Sequence, residues 1–103
     1  MVRHIVMFEF LEEAEGRKKR ENARIARDML QALWGVIPSL RSLEVRLNEE
    51  GADASNYDLV LITEYEDFEG LKEYIKHPEH VKVGQFMKTV RKNRACVDYE
   101  IEA

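Results

Sequence analysis

The stretch "VRHIVMFEF", residues 2–10, decides the fold. It is rich in β-branched and aromatic side chains, which fit a pleated surface. Its even positions hold Val2, His4, Val6, Phe8 and Phe10, while its odd positions set Ile5 and Met7 between Arg3 and Glu9. A strand with one wet face alternates strictly. This one is apolar on both faces at its centre, the mark of an inner strand covered on two sides. "YDLVLITEYE", residues 57–66, reads the same way. "SLEVRLN", residues 42–48, alternates cleanly: Leu43, Val45 and Leu47 oppose Glu44 and Arg46. So does "ACVDYEI", residues 95–101, with Ala95, Val97, Tyr99 and Ile101 against Cys96, Asp98 and Glu100. The chain therefore offers two inner strands and two edge strands.

Helical patterns separate them. Ala26, Met29, Leu30, Leu33 and Trp34 form one apolar stripe, which predicts a helix over 16–34 capped by Gly35 with Pro38 beyond. Residues 49–56 are a polar loop of turn formers. Asp67 caps a second helix whose apolar side is Phe68, Leu71, Tyr74 and Ile75. Pro78 breaks that helix, because the residue before a proline is pushed out of the α region. The proline then suits the first position of a further helix reaching about Val90. The order is β-α-β-β-α-β, an α+β, ferredoxin-like arrangement in a single domain over residues 1–103. Right-handed crossovers place the first and third strands in the middle of an antiparallel sheet, order 4-1-3-2. The doubly apolar pattern of those two strands points to the same order independently.

Both helices of such a fold lie on one face of the sheet. The other face leaves Ile5, Met7 and one side of the 59–62 run in water. Contiguous apolar patches of this kind mark interfaces, and burying each such side chain is worth roughly 1.5–3 kcal/mol. The simplest cover is the sheet of a second copy, giving a two-fold homodimer.

Composition narrows the partners. Hydrophobic residues make up 45% and charged residues 35% of the 103 positions, ordinary for a soluble domain. The formal charge is −4. The one dense basic stretch, Arg17 to Arg20, sits among Glu12, Glu13, Glu15 and Glu21. Neither nucleic acid nor an anionic membrane is expected as partner, since phosphate binding needs a concentrated basic surface. Cys96 is alone, so no internal disulfide forms, which suits a reducing compartment. The N-terminal apolar run is broken early by charge, and no apolar stretch approaches the ~20 residues of a membrane span. A cytoplasmic location is expected. No glycine-rich phosphate loop or serine nucleophile setting stands out, and no cofactor is expected.

The candidate site centres on "YIKHPEHVKV", residues 74–83. His77 precedes Pro78 and suits a capping role at the helix break. His80 is in phase with Val83, Met87 and Val90, so it faces the sheet. Tyr74 lies on the apolar side of the preceding segment, and His4 shares the even face of the first strand. If the helices cover that face, His4, Tyr74 and His80 enter one layer. Two arrangements stay open. The three satisfy one another as a closed network, or they line a small pocket with apolar walls. In the pocket form the ligand-binding side chains are His4, Val6, Phe8, Phe68, Ile75, His77, Val81 and Phe86. Histidine exchanges protons near neutral pH, and a tyrosine hydroxyl polarises a carbonyl, so Tyr74 and His80 are the candidate catalytic pair. His77 and His80 have the i, i+3 spacing of metal ligands. The proline between them and the lack of an evident third ligand cluster argue against a metal, although Asp98 or Glu64 could come near in space.

The segments "VRHIVMFEF", "NYDLVLITEYED", "LKEYIKHPEHVKV" and "CVDYE" together resemble the stress-responsive α/β-barrel (Dabb) domain family over nearly the whole chain. The most specific feature is the His-Pro-x-His corner combined with the closing Val-Asp-Tyr. The resemblance implies a dimeric α+β barrel, two ferredoxin-like sheets packed face to face. Most of that family has no assigned activity. A small plant branch cyclises polyketides with a tyrosine and the second histidine of this corner as acid–base pair. Those positions match Tyr74 and His80, and its N-terminal histidine matches His4. The expected function is a homodimeric module holding a small apolar or aromatic ligand between sheet and helices. The alternative is a cofactor-independent acid–base enzyme, cyclase- or lyase-like, on an apolar carbonyl compound. A haem-handling or aromatic monooxygenase-like role comes third.

Overall fold

In a computed structural model describing residues 1–102, β1 (Val2–Phe10) lies inside a four-stranded antiparallel sheet. β5 (Leu59–Tyr65) and β6 (Arg91–Glu100) flank it, and β4 (Ser42–Leu47) lies beyond β5. The order β4-β5-β1-β6 is the one the two doubly apolar strands predict. The fold is ferredoxin-like. His4 stands between Thr63 and Asp98, Ile5 between Ile62 and Val97, and Met7 between Val60 and Ala95. Since side chains alternate along a strand, His4, Val6, Phe8 and Phe10 share one face, and all four are buried. Three helices cover that face: α1 (Lys19–Gln31), α2 (Phe68–Lys76) and α3 (Pro78–Val90). The opposite face is bare. Met7 is 42% exposed, Val97 55% and Tyr99 39%.

The first helix is shorter than its periodicity suggests. Glu13–Ala14 (β2) and Arg17–Lys18 (β3) pair as a small hairpin before it. Glu15 and Gly16 both have positive φ, 54° and 74°, as a two-residue turn of the mirror-image type requires. Buried Asn22 ties this hairpin down. Its Nδ2 donates to the Ala14 carbonyl at 3.0 Å, and its Oδ1 accepts from Arg17 Nε at 2.6 Å. At the other end the helix stops at Gln31, and the chain turns through Gly35 at φ 83°. Trp34 thereby leaves the helical phase and is 52% exposed, not part of the inner stripe.

The break between α2 and α3 follows the proline rule. His77 closes one helix and opens the next with extended backbone, φ −61° and ψ 135°, and Pro78 takes the first helical position. Asp67 Oδ1 accepts from Gly70 N at 2.9 Å at the start of α2. Val83, Met87 and Val90 form the inner side of α3.

The two sheet edges face opposite ways. β4 turns Val45 into the core, with Leu43 and Leu47 packed beside it. β6 turns Val97 and Tyr99 outward, and its helix side carries Arg94, Cys96 and Asp98, opposite Phe8, Val6 and His4. α1 packs over β4, while among the described residues no helix makes more than marginal contact with β6.

Candidate functional site

The strip left open beside β6 contains a cavity of about 170 Å³ between α3 and β1. An apolar cavity of about 150 Å³ accommodates benzene, so this one suits a single ring with small substituents. Its apolar walls are Val6, Phe8, Leu30, Leu61, Val83 and Met87. Gly84 leaves room on the helix side, since a Cβ there meets no atom within 4 Å. His4 and His80 are its two histidines, and Lys88, Arg91 and Arg94 complete the lining.

His80 is held by one nitrogen. Its Nδ1 lies 3.0 Å from the Ile75 carbonyl. A carbonyl only accepts, so Nδ1 carries the proton and the neutral ring keeps its lone pair on Nε2. Burial pushes the His80 pKa below its ordinary value; the Ile75 bond opposes this, and the nearby His4 and Arg94 add to it. At neutral pH His80 is therefore a free base. His4 is pinned in the same manner. Its Nδ1 lies 2.5 Å from Asp98 Oδ1, with Cys96 Sγ 3.5 Å from that same nitrogen. Burial, then the charge of Asp98, pushes the Cys96 thiol above its ordinary pKa, which disfavours the nucleophilic thiolate. The ligand-type atoms of His4, Cys96 and Asp98 all lie within 4.8 Å of one another. Asp98 thus belongs with His4, on β1, and not with the His77 corner.

Tyr74 is fully buried, its ring centre 4.4 Å from that of His80, 5.3 Å from Tyr65 and 6.5 Å from His4. Its hydroxyl has no hydrogen-bond partner among the described residues, and burial pushes its pKa up. Leaving such a group unpaired costs about 1–3 kcal/mol. Neighbouring Tyr65 is satisfied, donating to Thr63 Oγ1 at 3.0 Å. Tyr74 does not line the cavity; it packs against His80, which does. The two residues expected as a pair are therefore adjacent, but one stands behind the other.

The remaining expected residues divide. His4, Val6 and Phe8 line the cavity. His77 does not: its Nδ1 accepts from the Glu79 amide at 3.1 Å, capping α3. Phe68, Ile75 and Val81 are 45%, 46% and 44% exposed. The inner side of α2 is set by Leu71 and Tyr74, and at about 100° per residue Phe68 and Ile75 turn onto its flanks. Val81 points away from the buried side of α3 for the same reason. Phe86 packs at the margin of the core, with Arg17 5.9 Å from its ring centre. Their places in the wall are taken by Leu30, Leu61, Val83 and Met87. His80, Gly84 and Lys88 sit four residues apart on one strip of α3, a spacing that identifies the cavity side of the helix.

The family model for the stress responsive A/B barrel domain matches residues 2–101. A dimeric ferredoxin-like protein of unknown function from Bacteroides fragilis is 31% identical, with a TM-score of 0.85 over 97% of this chain and 95% of its own. A dimeric ferredoxin-like protein of unknown function from Thermobifida fusca is 21% identical, with a TM-score of 0.82 over 97% of this chain and 90% of its own. The fold extends to a hydroxynitrile lyase from Passiflora edulis, 12% identical, with a TM-score of 0.77 over 98% of this chain and 93% of its own. Comparison with curated proteins gives no match. The family match over nearly the full chain and the order of the four main strands agree, and the chain belongs to the stress-responsive α/β-barrel domain family.

Proposed function

We propose that the protein is a homodimer that holds a small apolar or aromatic ligand in the cavity between α3 and β1. The observation that carries this reading is the cavity itself: apolar walls, two histidines each fixed through Nδ1, and Gly84 leaving its helix side open. The dimeric description of the neighbours from Bacteroides fragilis and Thermobifida fusca and the bare apolar sheet face support pairing through Ile5, Met7, Val60, Ile62 and Val97. The single cysteine and the absence of a helix long and apolar enough to cross a membrane among the described residues are compatible with a cytoplasmic setting.

A second reading, an acid–base enzyme, is favoured by the state of His80. A neutral imidazole with a free Nε2 beside an apolar wall can take a proton from a carbon next to a carbonyl. Tyr74, held protonated by burial, lies against it but behind the wall. It reaches a substrate oxygen only if His80 swings aside.

The test is a plug. Gly84→Leu puts a side chain into the cavity from a helix position where a Cβ meets no atom within 4 Å. Replacing a helical glycine favours the helix by roughly 0.5–1 kcal/mol, so the variant folds. A library of small aromatic acids, amides and ketones is titrated against both proteins by NMR. Binders that shift Val83 and Met87 resonances in the native chain and fail to do so in the variant support the reading. A library without such binders refutes it.

A further inference from the structure

We infer that the cavity takes an anion: a single-ring or short-chain carboxylate whose head sits on Arg94, Arg91 and Lys88 while its apolar body enters between Phe8, Val83 and Met87. This inference rests on the pocket reading and specifies its ligand.

The charges around the cavity carry it. The chain is acidic, with 20 carboxylate residues against 16 lysines and arginines. The cavity lining nevertheless holds three cations and no carboxylate. None of the three pairs with a carboxylate among the described residues, whereas Lys82 on the same helix pairs with Glu79 at 3.0 Å. Asp98 is the acid on the same side of β6. It lies four residues from Arg94 with Cys96 between them, and its Oδ1 is taken up by His4 Nδ1. Among the described residues, the cationic end of the cavity thus has no carboxylate in its lining and none in an ion pair with it.

One helix and the strand that follows it bring the cations together. Arg94 stands opposite Phe8 on the helix side of the sheet, so its stem passes over the apolar floor. Arg91 begins β6 directly after α3, and Lys88 is on the last turn of that helix. An arginine fork matches a carboxylate with two parallel hydrogen bonds.

His80 sets the next part of the ligand. Its free Nε2 is an acceptor, as is a carboxylate oxygen, so the two do not bond. The group beside Nε2 is instead a donor, a hydroxyl or an acidic C–H. The ligand class is an apolar carboxylic acid that also carries such a donor.

Phenylacetate and phenylacetamide test the charge, because they differ in little but the ionised head. Both are titrated by NMR against the native protein and Arg94→Gln. The acid is expected to bind about tenfold more tightly than the amide, the scale of one charge-assisted hydrogen bond. That preference should largely vanish in R94Q, whose exposed side chain is not part of the core. Equal binding of acid and amide overturns the anion inference and leaves the pocket reading standing. A preference that survives R94Q overturns the placement of the head at this end. If neither compound nor any member of the aromatic library binds the native protein, the pocket reading fails and this inference with it.

Discussion

β4 and β6 border the same sheet, and both alternate apolar with polar residues, yet they point in opposite directions. β4 turns Val45 to the core and shows Glu44 and Arg46 outside. β6 turns Arg94, Cys96 and Asp98 to the helix side and shows Val97 and Tyr99 outside. The consequence lies in the helices. An apolar inner side attracts a helix, and α1 lies over β4. A polar inner side does not, and the strip along β6 stays open as the cavity. The same reversal gives β6 an apolar outer side in line with Ile5 and Met7, continuing the bare face that a second sheet is proposed to cover. One edge completes the protomer. The other borders the cavity and extends the face proposed as the interface.

The largest effect that sharpens this contrast comes from placing the same charge at both edges. Val45→Glu buries an unpaired carboxylate in the core, where Val45 is 7% exposed. A buried charge without a partner costs several kcal/mol, about 3–5 kcal/mol by comparison with broken buried ion pairs. This is a large share of the stability of a small domain. Circular dichroism should show the variant mostly unfolded, or with a melting temperature lower by tens of degrees. A near-native melt would mean that the β4 edge is not part of the core.

Val97→Glu, or Met7→Glu on the adjacent strand, should spare the protomer and break the pair. Val97 is 55% exposed in the isolated chain, so the protomer loses little. Two facing carboxylates across a two-fold axis repel each other and leave apolar partners uncovered. Sedimentation equilibrium should show the native protein as a dimer and either variant as a folded monomer. A native monomer at micromolar concentration would remove the proposed assembly altogether.

Much of the fold is legible in the sequence, and the residues say why. The doubly apolar Val2–Phe10 and Leu59–Tyr65 strands could only be inner strands, and the proline at 78 could only divide a helix. Burial and backbone geometry act locally there, so periodicity reports them. The hairpin before α1 is not legible because two-residue strands carry no period, and its turn residues, Glu15 and Gly16, straddle the expected helix start at residue 16. The site was legible in part. His4 and His80 converge because each lies on a face that the hydrophobic pattern defines. Asp98, Cys96 and Arg94 were not placed beside them because the phase of β6 relative to β1 depends on pairing register, not on the alternation of β6 alone. Phe68, Ile75 and Val81 were expected in the wall because a one-dimensional stripe does not distinguish the buried centre of a helix face from its flanks.

The smallest effect separates a neutral His80 from a charged one, and hence an open base from a paired cation. The folded-state pKa of His80 is depressed below 6.5, chiefly by burial. A depressed pKa means that the unfolded chain binds the proton first as pH falls. The stability associated with His80 is therefore fully present above about pH 6.5 and is lost as pH falls through the folded-state value. His80→Asn keeps an N–H able to reach the Ile75 carbonyl but does not titrate. His4, His77 and Asp98 remain in both proteins, so their contributions cancel to first order. Melting temperatures measured from pH 8 to pH 5 should show the native protein losing ground to the variant below about pH 6.5. A native protein that gains on the variant as pH falls would mean that folding raises the His80 pKa. The imidazole would then enter the cavity as a cation, and both the acid–base reading and the division of labour between His80 and Arg94 would have to be abandoned.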